Sequence, residues 1–329
     1  MTTNIAMPIT IEQVADLSAR VIQEVEKAVV GKRIVLNQMM AAFLSSGGHI
    51  LLEDYPGLAK TLIANSFAAA LGLEFHRIQF TPDLLPGDIT GGYVFDSSQN
   101  LFQLRKGPLF ANIVLADEIN RASPKTQSAL LEAMQEYQVT LEGESLALPN
   151  PFIVIATQNP IEYEGTFPLP EAQLDRFMVK LSIGYPKVEE EDEILKRRAD
   201  RKQDMVALQA VIPPEIFLAM RAAVEEVYID PDVRRYMVDL VAATRHHHQV
   251  VVGVSPRGSL TLLKLARAWA AIQGRDFVLP DDIKAFTQAA LAHRLVLDPN
   301  LWGSKKSDKE MIEQVVASIR VPVIQSVYK

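Results

Sequence analysis

The stretch EDYPGLAKTL, residues 53–62, decides how this sequence is interpreted. It follows the short apolar run HILLE and opens a helical pattern from Lys60 to Leu71. The general phosphate-binding loop (P-loop) reads G-x-x-x-x-G-K-[ST], and here Asp54 and Ala59 stand at its two glycine positions. A strand, this loop and a helix in succession form the context that a P-loop requires. The stretch therefore predicts phosphate binding, and the alternative is a strand, a turn and a helix with an incidental Lys-Thr pair.

The predicted loop would bind phosphate mainly through its backbone. Successive N–H groups and the start of a helix would face the β- and γ-phosphates of a nucleotide. Lys60 adds a positive charge, and the Thr61 hydroxyl can ligate Mg²⁺. If Ala59 needs a positive φ, its side chain costs roughly 1 kcal/mol or more. The residues expected to contact the nucleotide here are Pro56, Gly57, Leu58, Ala59, Lys60, Thr61 and Leu62.

A second motif, NIVLADEINRA at residues 112–122, places two acids at the end of an apolar run. Ligands bind at the carboxyl edge of parallel sheets, and buried strands rarely end in adjacent acids without a partner. We expect Asp117 to hold Mg²⁺ or its water shell and Glu118 to polarise an attacking water. The alternative is that the pair caps the next helix, but Ser123 and Pro124 already fit that cap and first turn.

A third motif, FIVIATQNP at residues 152–160, ends a predicted strand at Asn159. An amide at that edge of the sheet can orient a water molecule or contact the γ-phosphate. Because Asn before Pro also simply ends strands, this residue carries little weight by itself.

Short apolar runs alternate with helical patterns through the first half of the chain. Their length and flanks suit the buried strands of a mostly parallel sheet with crossover helices. Two β-hairpins, Gly91–Leu109 and Gln138–Leu148, interrupt the alternation. The five predicted sheet strands are His49–Glu53, Glu74–Phe80, Asn112–Ala116, Phe152–Ala156 and Phe177–Ile183.

Helical patterns occupy the N-terminus and everything after the strands. Thr10 and Gln13 have the spacing of a capping box at the start of the first helix, and a second helix is predicted at Arg33–Leu44. We therefore expect an α/β core with N-terminal helices over residues 1–186 and a smaller helical domain over residues 187–329. The helices predicted in that domain are Val188–Asp200, Pro213–Glu225, Asp232–His246, Arg257–Gln273 and Asp281–Leu295.

Composition narrows the classes of protein to which this chain can belong. It has 329 residues, 48% of them hydrophobic and 22% charged, which is typical of globular proteins. The absence of cysteine excludes disulfides, thiol catalysis and thiolate metal sites, and it suits the cytoplasm. We expect no signal peptide and no integral membrane segment. The net charge of -7 argues weakly against a large nucleic-acid interface.

Four segments together closely resemble the MoxR family of AAA+ ATPases, in its helix-2-insert branch. The resemblance covers nearly the whole chain, and the ordered combination of segments is highly specific. It implies a three-layer AAA+ core with a mainly parallel five-stranded sheet, β-hairpin inserts and a small all-α lid. The segments are LLEDYPGLAKT (51–61), VLADEINRASPKTQSALLEAMQE (114–136), FIVIATQNPIEYEGTFPLPEAQLDRF (152–177) and SPRGSLTLLKLARAWA (255–270).

The resemblance assigns roles to the motif residues. Lys60 and Thr61 match Walker A, while Asp117 and Glu118 match Walker B, with Glu118 in the water-activating role. Asn159 matches sensor 1, the polar residue at the neighbouring strand end. The two hairpins match the helix-2 insert and the pre-sensor-1 insert of this branch.

The resemblance also assigns roles outside these motifs. Val30 and Gly31 match the segment that lies against adenine. Arg176 matches the arginine finger, which is supplied to a neighbouring subunit. Arg257 matches sensor 2, the lid arginine that reaches back to the γ-phosphate. The residues themselves leave alternatives open, because Arg176 could equally form a surface ion pair with Asp175 or Glu171.

The function that the resemblance implies is Mg²⁺-dependent ATP hydrolysis by a homo-oligomeric ring, with a hexamer expected. Such a ring would act as a chaperone that remodels or activates client proteins together with a von Willebrand factor A domain protein. One alternative is a nucleotide-dependent scaffold or switch with low turnover, suggested by the altered P-loop. Others are a motor that acts on DNA or a subunit similar to those of magnesium chelatase.

Overall fold

The computed structural model of the protein describes residues 9–160, 165–298 and 308–323. The β-strands are β1 (Ile50–Glu53), β2 (Phe75–Gln79), β3 (Gly91–Asp96), β4 (Leu101–Lys106), β5 (Ile113–Asp117), β6 (Gln138–Leu141), β7 (Glu144–Ala147), β8 (Ile153–Gln158), β9 (Val179–Leu181), β10 (Val250–Val252) and β11 (Val296–Leu297). The α-helices are α1 (Ile11–Glu26), α2 (Arg33–Leu44), α3 (Lys60–Ala70), α4 (Pro86–Thr90), α5 (Pro124–Glu136), α6 (Glu171–Leu174), α7 (Val188–Arg201), α8 (Pro214–Glu225), α9 (Pro231–His246), α10 (Pro256–Ile272), α11 (Pro280–Leu291) and α12 (Asp308–Ser318). Two 3₁₀ turns cover Ile119–Arg121 and Ala292–Arg294.

The central sheet has five strands in the order β2-β5-β8-β1-β9, and every neighbouring pair is parallel. These are the five strands that the sequence predicts, so the α/β fold class is confirmed. Because all five strands run in one direction, their carboxyl ends meet at one edge of the sheet. The P-loop motif and the two other polar motifs follow β1, β5 and β8 at that edge.

Both faces of the sheet are buried, which explains why its strands are continuous apolar runs. In β5, Ile113 and Leu115 join the apolar cluster that contains α1, α2 and α3. Their neighbours Val114 and Ala116 join a second cluster on the opposite face, together with Leu130 of α5. The two clusters follow from the period of two in a β-strand.

The predicted N-terminal helix begins where its capping box indicates. Thr10 N–H donates to Gln13 Oε1 at 2.9 Å, and Gln13 N–H donates to Thr10 Oγ1 at 3.3 Å. Both predicted β-hairpins form as well. β3 pairs with β4, and β6 pairs with β7, each in an antiparallel register.

The second half of the chain differs from the prediction in three respects. β10 and β11 form a short antiparallel pair, so this region is not entirely helical. The last helix predicted there, expected to reach Leu295, ends as α11 at Leu291 and continues as a 3₁₀ turn. Helix α12 was not predicted. Strands of three and two residues are too short to give a recognisable pattern.

The helices of the second half pack on the first half instead of standing apart. One continuous apolar cluster includes Val14 of α1, Leu36 of α2, Phe67 of α3, Phe217 of α8 and Leu265 of α10. The N-terminal helices therefore bridge the sheet and the later helices. Within the described part of the chain, no helix combines the length and the apolar character needed to cross a membrane.

Candidate functional site

The predicted P-loop joins β1 to α3 and lines a cavity of about 460 Å³. All seven loop residues from Pro56 to Leu62 line this cavity, which we call the P-loop cavity. The structure brings the three sequence motifs together there. The other residues that line it are Arg77, Asp117, Glu118 and Asn159.

The loop turns back on itself through two residues with positive φ. Gly57 has φ +81°, and a Cβ atom added to it would meet nothing within 4 Å. The backbone conformation, and not lack of space, therefore favours glycine at this position. Ala59 has φ 58° and ψ 20°, the left-handed conformation that costs alanine roughly 1–2 kcal/mol. The sequence left open whether Ala59 needs a positive φ, and the structure shows that it has one.

Asp54, at the first glycine position of the motif, is buried and has a structural role that the sequence did not reveal. Its carboxylate accepts hydrogen bonds from Ser182 Oγ at 2.7 Å, Ile183 N at 2.6 Å and Gly184 N at 3.2 Å. Its backbone carbonyl accepts a hydrogen bond from Lys60 Nζ at 2.7 Å. The residue thus connects the P-loop lysine to the segment that follows β9.

The acidic pair lies where β5 ends. Asp117 is the last residue of the strand and is buried, whereas Glu118 has φ 57° and ψ 49° and turns the chain into the 3₁₀ turn. Thr157 of β8 fixes both residues, because its hydroxyl donates to Asp117 Oδ1 at 2.7 Å and accepts from Glu118 N at 2.8 Å. A left-handed non-glycine residue persists only where its surroundings hold it, and such residues cluster at functional sites.

Two residues of β2 contact the acidic pair, and neither was predicted from the sequence; Arg77 also lines the cavity. Arg77 donates to Asp117 Oδ2 through Nη2 at 2.6 Å and through Nε at 3.1 Å. Gln79 Nε2 donates to Glu118 Oε2 at 2.8 Å, and Arg121 Nη1 donates to the same oxygen at 2.9 Å. One sequence pattern could have identified Arg77 and Gln79, because they are polar residues at alternate positions of a predicted strand.

Asn159 is buried and lines the P-loop cavity, directly after β8. Val30 and Gly31, the predicted adenine segment, are not among the residues that line it. Gly31 lies against the start of α7, since a Cβ atom added to it would stand 2.1 Å from Glu190 Cδ. The neighbouring Lys32 Nζ donates to the carbonyl of Tyr185 at 2.8 Å.

The residues of the P-loop cavity fit a bound Mg²⁺ ion. Magnesium prefers oxygen ligands, and the cavity offers the Thr61 hydroxyl and the Asp117 carboxylate. Lys60, close by in the loop, supplies a cation for phosphate groups, so a nucleotide and its metal could share the site.

A second cavity, of about 240 Å³, contains the two other predicted arginines. Arg176 and Arg257 both line it, together with Lys264, Arg294 and a single carboxylate, Asp175. We call it the arginine cavity. Neither Arg176 nor Arg257 is among the residues that line the P-loop cavity. The structure therefore places the predicted sensor 2 arginine in the same cavity as the predicted arginine finger, and not in the lining of the P-loop cavity.

Asp175 organises the arginine cavity. Its Oδ1 accepts from Arg294 Nε at 2.6 Å, and its Oδ2 lies 3.6 Å from Arg257 Nη1. Arg176 Nη1 donates instead to the carbonyl of Leu131 at 3.1 Å and to the side chain of Gln135. It makes neither of the ion pairs that the sequence left open, with Asp175 or with Glu171, and both hydrogen bonds of its side chain are to residues of α5.

Burial shifts the pKa values of the groups around this cavity. Burial lowers the pKa of Arg294 below its ordinary value, and the hydrogen bond to Asp175 opposes that shift. Burial likewise lowers the pKa of His49 to about 4, although its hydrogen bond to the Met134 carbonyl opposes the change. His49 is therefore neutral at pH 7, and the positive charge of the cavity comes from its arginines and Lys264.

Comparisons with known proteins agree with this geometry. Residues 49–179 match the ATPase family associated with various cellular activities (AAA), and residues 242–315 match the AAA lid domain. The YeaC protein of Bacillus subtilis is 44% identical over 315 residues, which are 96% of this chain and 98% of YeaC. Chaperone MoxR1 of Mycobacterium tuberculosis is 40% identical, with 94% of this chain and 83% of MoxR1 covered.

The fold is also similar to that of a solved structure. The crystal structure of a protein assigned as an ATPase from Cytophaga hutchinsonii superposes with a TM-score of 0.88 at 40% identity. The superposition covers 94% of this chain and 96% of that one. The similarity to MoxR1 extends over most of both sequences, and the two matched AAA families together cover residues 49–179 and 242–315. The chain therefore belongs to the MoxR family of AAA+ ATPases.

Proposed function

We propose that the protein binds ATP with Mg²⁺ in the P-loop cavity and hydrolyses its terminal phosphoanhydride bond. The convergence of the loop, Asp117, Glu118 and Asn159 on one cavity carries this proposal. Lys60 and the N–H groups at the start of α3 would bind the β- and γ-phosphates. Mg²⁺ held by Thr61 and Asp117 would neutralise the charge that develops on the phosphate oxygens.

Glu118 would act as the general base. Its carboxylate lines the cavity and is about a quarter exposed, so a water molecule can reach it. As the water oxygen bonds to the γ-phosphorus, Glu118 accepts a water proton and the bond to the ADP oxygen breaks. Asn159 would orient that water or contact the γ-phosphate from the end of β8.

The arginine cavity would complete the site of a neighbouring copy of the chain. Arg176 and Arg257 share a cavity that does not include their own P-loop, so both would act on a nucleotide held by the neighbour. An arginine supplied in this way stabilises the charge of phosphoryl transfer. In a homo-oligomeric ring, with six subunits expected, every arginine cavity would lie against the P-loop cavity of a neighbour.

The proposed biological role is that of a chaperone. A relative that is 40% identical is named a chaperone, and the resemblance to the MoxR family adds a von Willebrand factor A domain partner and client proteins. Hydrolysis would move the later helices against the core and shift the β3–β4 and β6–β7 hairpins.

The substitution Glu118→Gln tests the ATPase proposal. It keeps the size and hydrogen-bonding shape of the side chain but removes the base, so steady-state phosphate release should fall by about a hundredfold or more. ATP binding, measured by fluorescence with an ATP analogue, should remain close to that of the unchanged protein. Glu191→Gln, at an exposed position in the first turn of α7, is the matched control and should hydrolyse ATP normally.

Undiminished hydrolysis by the Glu118→Gln variant would contradict the assignment of the base. Negligible phosphate release by the unchanged protein, combined with tight ATP binding, would favour the scaffold or switch alternative. Mass photometry with Mg²⁺ and ATP tests the ring separately, and a monomer under those conditions would contradict it.

A further inference from the structure

Asp54 uses its N–H, its carbonyl and its carboxylate for contacts with three different parts of the chain. Its N–H donates to the carbonyl of Gln158 at 3.3 Å, directly before Asn159. Its carbonyl accepts from Lys60 Nζ at 2.7 Å, and its carboxylate accepts from the segment after β9. One buried residue of the P-loop therefore joins Lys60, the end of β8 and the chain that leaves β9.

The carboxylate contacts the start of the segment between β9 and α7, residues 182–187, which we call the linker. Ser182 Oγ and Gly184 N donate to Oδ1, at 2.7 and 3.2 Å, and Ile183 N donates to Oδ2 at 2.6 Å. All three donors are uncharged, and hydrogen bonds to an ionised acceptor are among the stronger ones. Both oxygens of Asp54 thus hold the linker to the P-loop.

The linker and α7 have features that allow them to change position. Gly184 has φ +68°, and a Cβ atom added to it would meet nothing within 4 Å, so the backbone turn is what favours glycine there. All of α7 is described, and none of its residues is buried. Polar contacts connect this part of the chain to the N-terminal helices, from Lys32 Nζ to the Tyr185 carbonyl and from Arg197 Nη1 to the Glu26 carbonyl. Regions with few buried apolar contacts resist movement least.

The backbone at position 54 does not explain why an aspartate stands there. The general P-loop motif has glycine at this position, but Asp54 is not one of the residues with positive φ. What aspartate adds is the carboxylate, and both of its oxygens contact the linker. A purely structural role would fix the linker equally well from elsewhere in the fold. It does not account for an anchor within the P-loop whose carbonyl also accepts from Lys60.

We propose that Asp54 is a positioning residue that couples phosphate binding at Lys60 to the placement of the linker and α7. The proposal rests on the nucleotide site proposed above. An ammonium group has three N–H donors, so Lys60 can bind a phosphate oxygen while it holds the Asp54 carbonyl. A phosphate that draws Lys60 toward the cavity then shifts Asp54, and the three hydrogen bonds of its carboxylate transmit the shift to the linker.

The test measures the distance between α7 and the core by double electron–electron resonance. Because the chain has no cysteine, spin labels attach only at Leu195→Cys in α7 and Lys125→Cys in α5, two exposed positions. Labelled protein is diluted with unlabelled full-length protein, so that distances within one chain are measured. Mg²⁺ with a non-hydrolysable ATP analogue should shift the distance distribution.

Asp54→Gly restores the general motif and removes the carboxylate. It should bind a fluorescent ADP analogue with an affinity within about threefold of the unchanged protein, because glycine is the usual P-loop residue at this position. The nucleotide-dependent shift should be lost, and kcat should fall more than the affinity does. Asp54→Asn keeps Oδ1 as the acceptor for Ser182 and Gly184. It presents an amide to the N–H of Ile183, so it should retain only part of the shift.

Asp282→Ala is the matched control for a purely structural effect. Asp282 is also buried, and its carboxylate accepts from Leu279 N at 2.7 Å and from Arg275 at 2.6 and 2.8 Å. Removing this carboxylate should lower the melting temperature and leave the nucleotide-dependent shift intact, because α11 lies outside the proposed link.

A full shift in Asp54→Gly would overturn the coupling whatever the stability of the variant, and so would an equal loss of the shift in Asp282→Ala. If Asp54→Gly does not fold, Asp54→Asn provides the test, and an undiminished shift in that variant overturns the proposal. Titration of the unchanged protein with the ADP analogue separates these outcomes from failure of the nucleotide site. Absence of binding would contradict that site, whereas normal binding without any shift would contradict only the role of Asp54.

Discussion

The P-loop cavity and the arginine cavity are both lined by charged groups, but their charges are balanced differently. In the P-loop cavity, Lys60 and Arg77 face two carboxylates, Asp117 and Glu118. In the arginine cavity, four cationic side chains face a single carboxylate, that of Asp175. The four are Arg176, Arg257, Lys264 and Arg294. Uncompensated positive charge in a cavity attracts anions, so the second cavity is the one that needs an external partner.

The difference explains how one polypeptide could form a site that works only between two copies. Phosphoryl transfer spreads negative charge over the γ-phosphate oxygens, and cations must stabilise it. The P-loop cavity contains the loop, Asp117 and Glu118, but neither of the two arginines predicted to stabilise the γ-phosphate charge. The arginine cavity holds both arginines and no P-loop. The two cavities have complementary properties, as an interface between neighbouring subunits requires.

Replacing Arg176 by alanine should produce the largest effect and would break this complementarity. Hydrolysis should fall by about a thousandfold, whereas ATP binding to the P-loop should not change, because the arginine belongs to a different cavity. Steady-state phosphate release and ATP-analogue titration measure the two quantities. Arg234→Ala, at an exposed position of α9, is the matched control and should keep full activity.

A mixing experiment distinguishes action on a neighbour from action within the chain. Subunits with Arg176→Ala retain the P-loop, and subunits with Lys60→Ala retain the arginine. A mixture of the two inactive variants should recover part of the activity, since some interfaces pair an intact P-loop with an intact Arg176. An Arg176→Ala variant that keeps its turnover would contradict the role of this residue, and a mixture without activity would contradict the interface.

Asp175→Asn tests the charge balance of the arginine cavity by removing its carboxylate. The Arg294 side chain is 2% exposed, and removing its carboxylate partner leaves a buried charge with hydrogen bonds to neutral acceptors only. The free energy of unfolding should fall by about 3 kcal/mol, measured by urea denaturation. Asp200→Asn, an exposed carboxylate of α7, is the control and should have no effect. A loss below about 0.5 kcal/mol would show that the backbone carbonyls around Arg294 are sufficient.

Local motifs made most of the P-loop cavity predictable from the sequence. The loop, Asp117 and Asn159 each follow an apolar run, and parallel strands bring such positions to one edge. The contact between Arg77 and Asp117 could not be predicted, because it requires β2 to lie beside β5 in the sheet. The five strands of the sheet were recognisable one by one, but their order was not.

The arginine cavity was harder to predict from the sequence, for a related reason. Asp175 and Arg294 meet although 119 positions separate them, and the sequence contains no pattern that pairs them. The resemblance identified Arg257 as a residue that contacts phosphate, but only the packing of α10 shows which cavity it lines. Asp54 is a similar case. The sequence shows only that Asp54 stands at a glycine position of the motif, whereas the fold makes it a buried acceptor for the segment after β9.

The smallest effect is expected within the P-loop itself, from Ala59→Gly. Alanine at φ 58° is strained by roughly 1 kcal/mol, but glycine also makes the unfolded chain more flexible, so the net gain in stability should be about 0.5 kcal/mol. ATP should bind slightly more tightly, because the loop reaches its phosphate-binding conformation more easily. Gly57→Ala makes the reverse substitution at another positive φ of the same loop, +81°, and serves as the control. It should destabilise the protein by about 1 kcal/mol. If Gly57→Ala behaves as expected and Ala59→Gly changes neither the melting temperature nor ATP affinity, the loop is already adapted to alanine. The departure from the general motif would then have no consequence for binding.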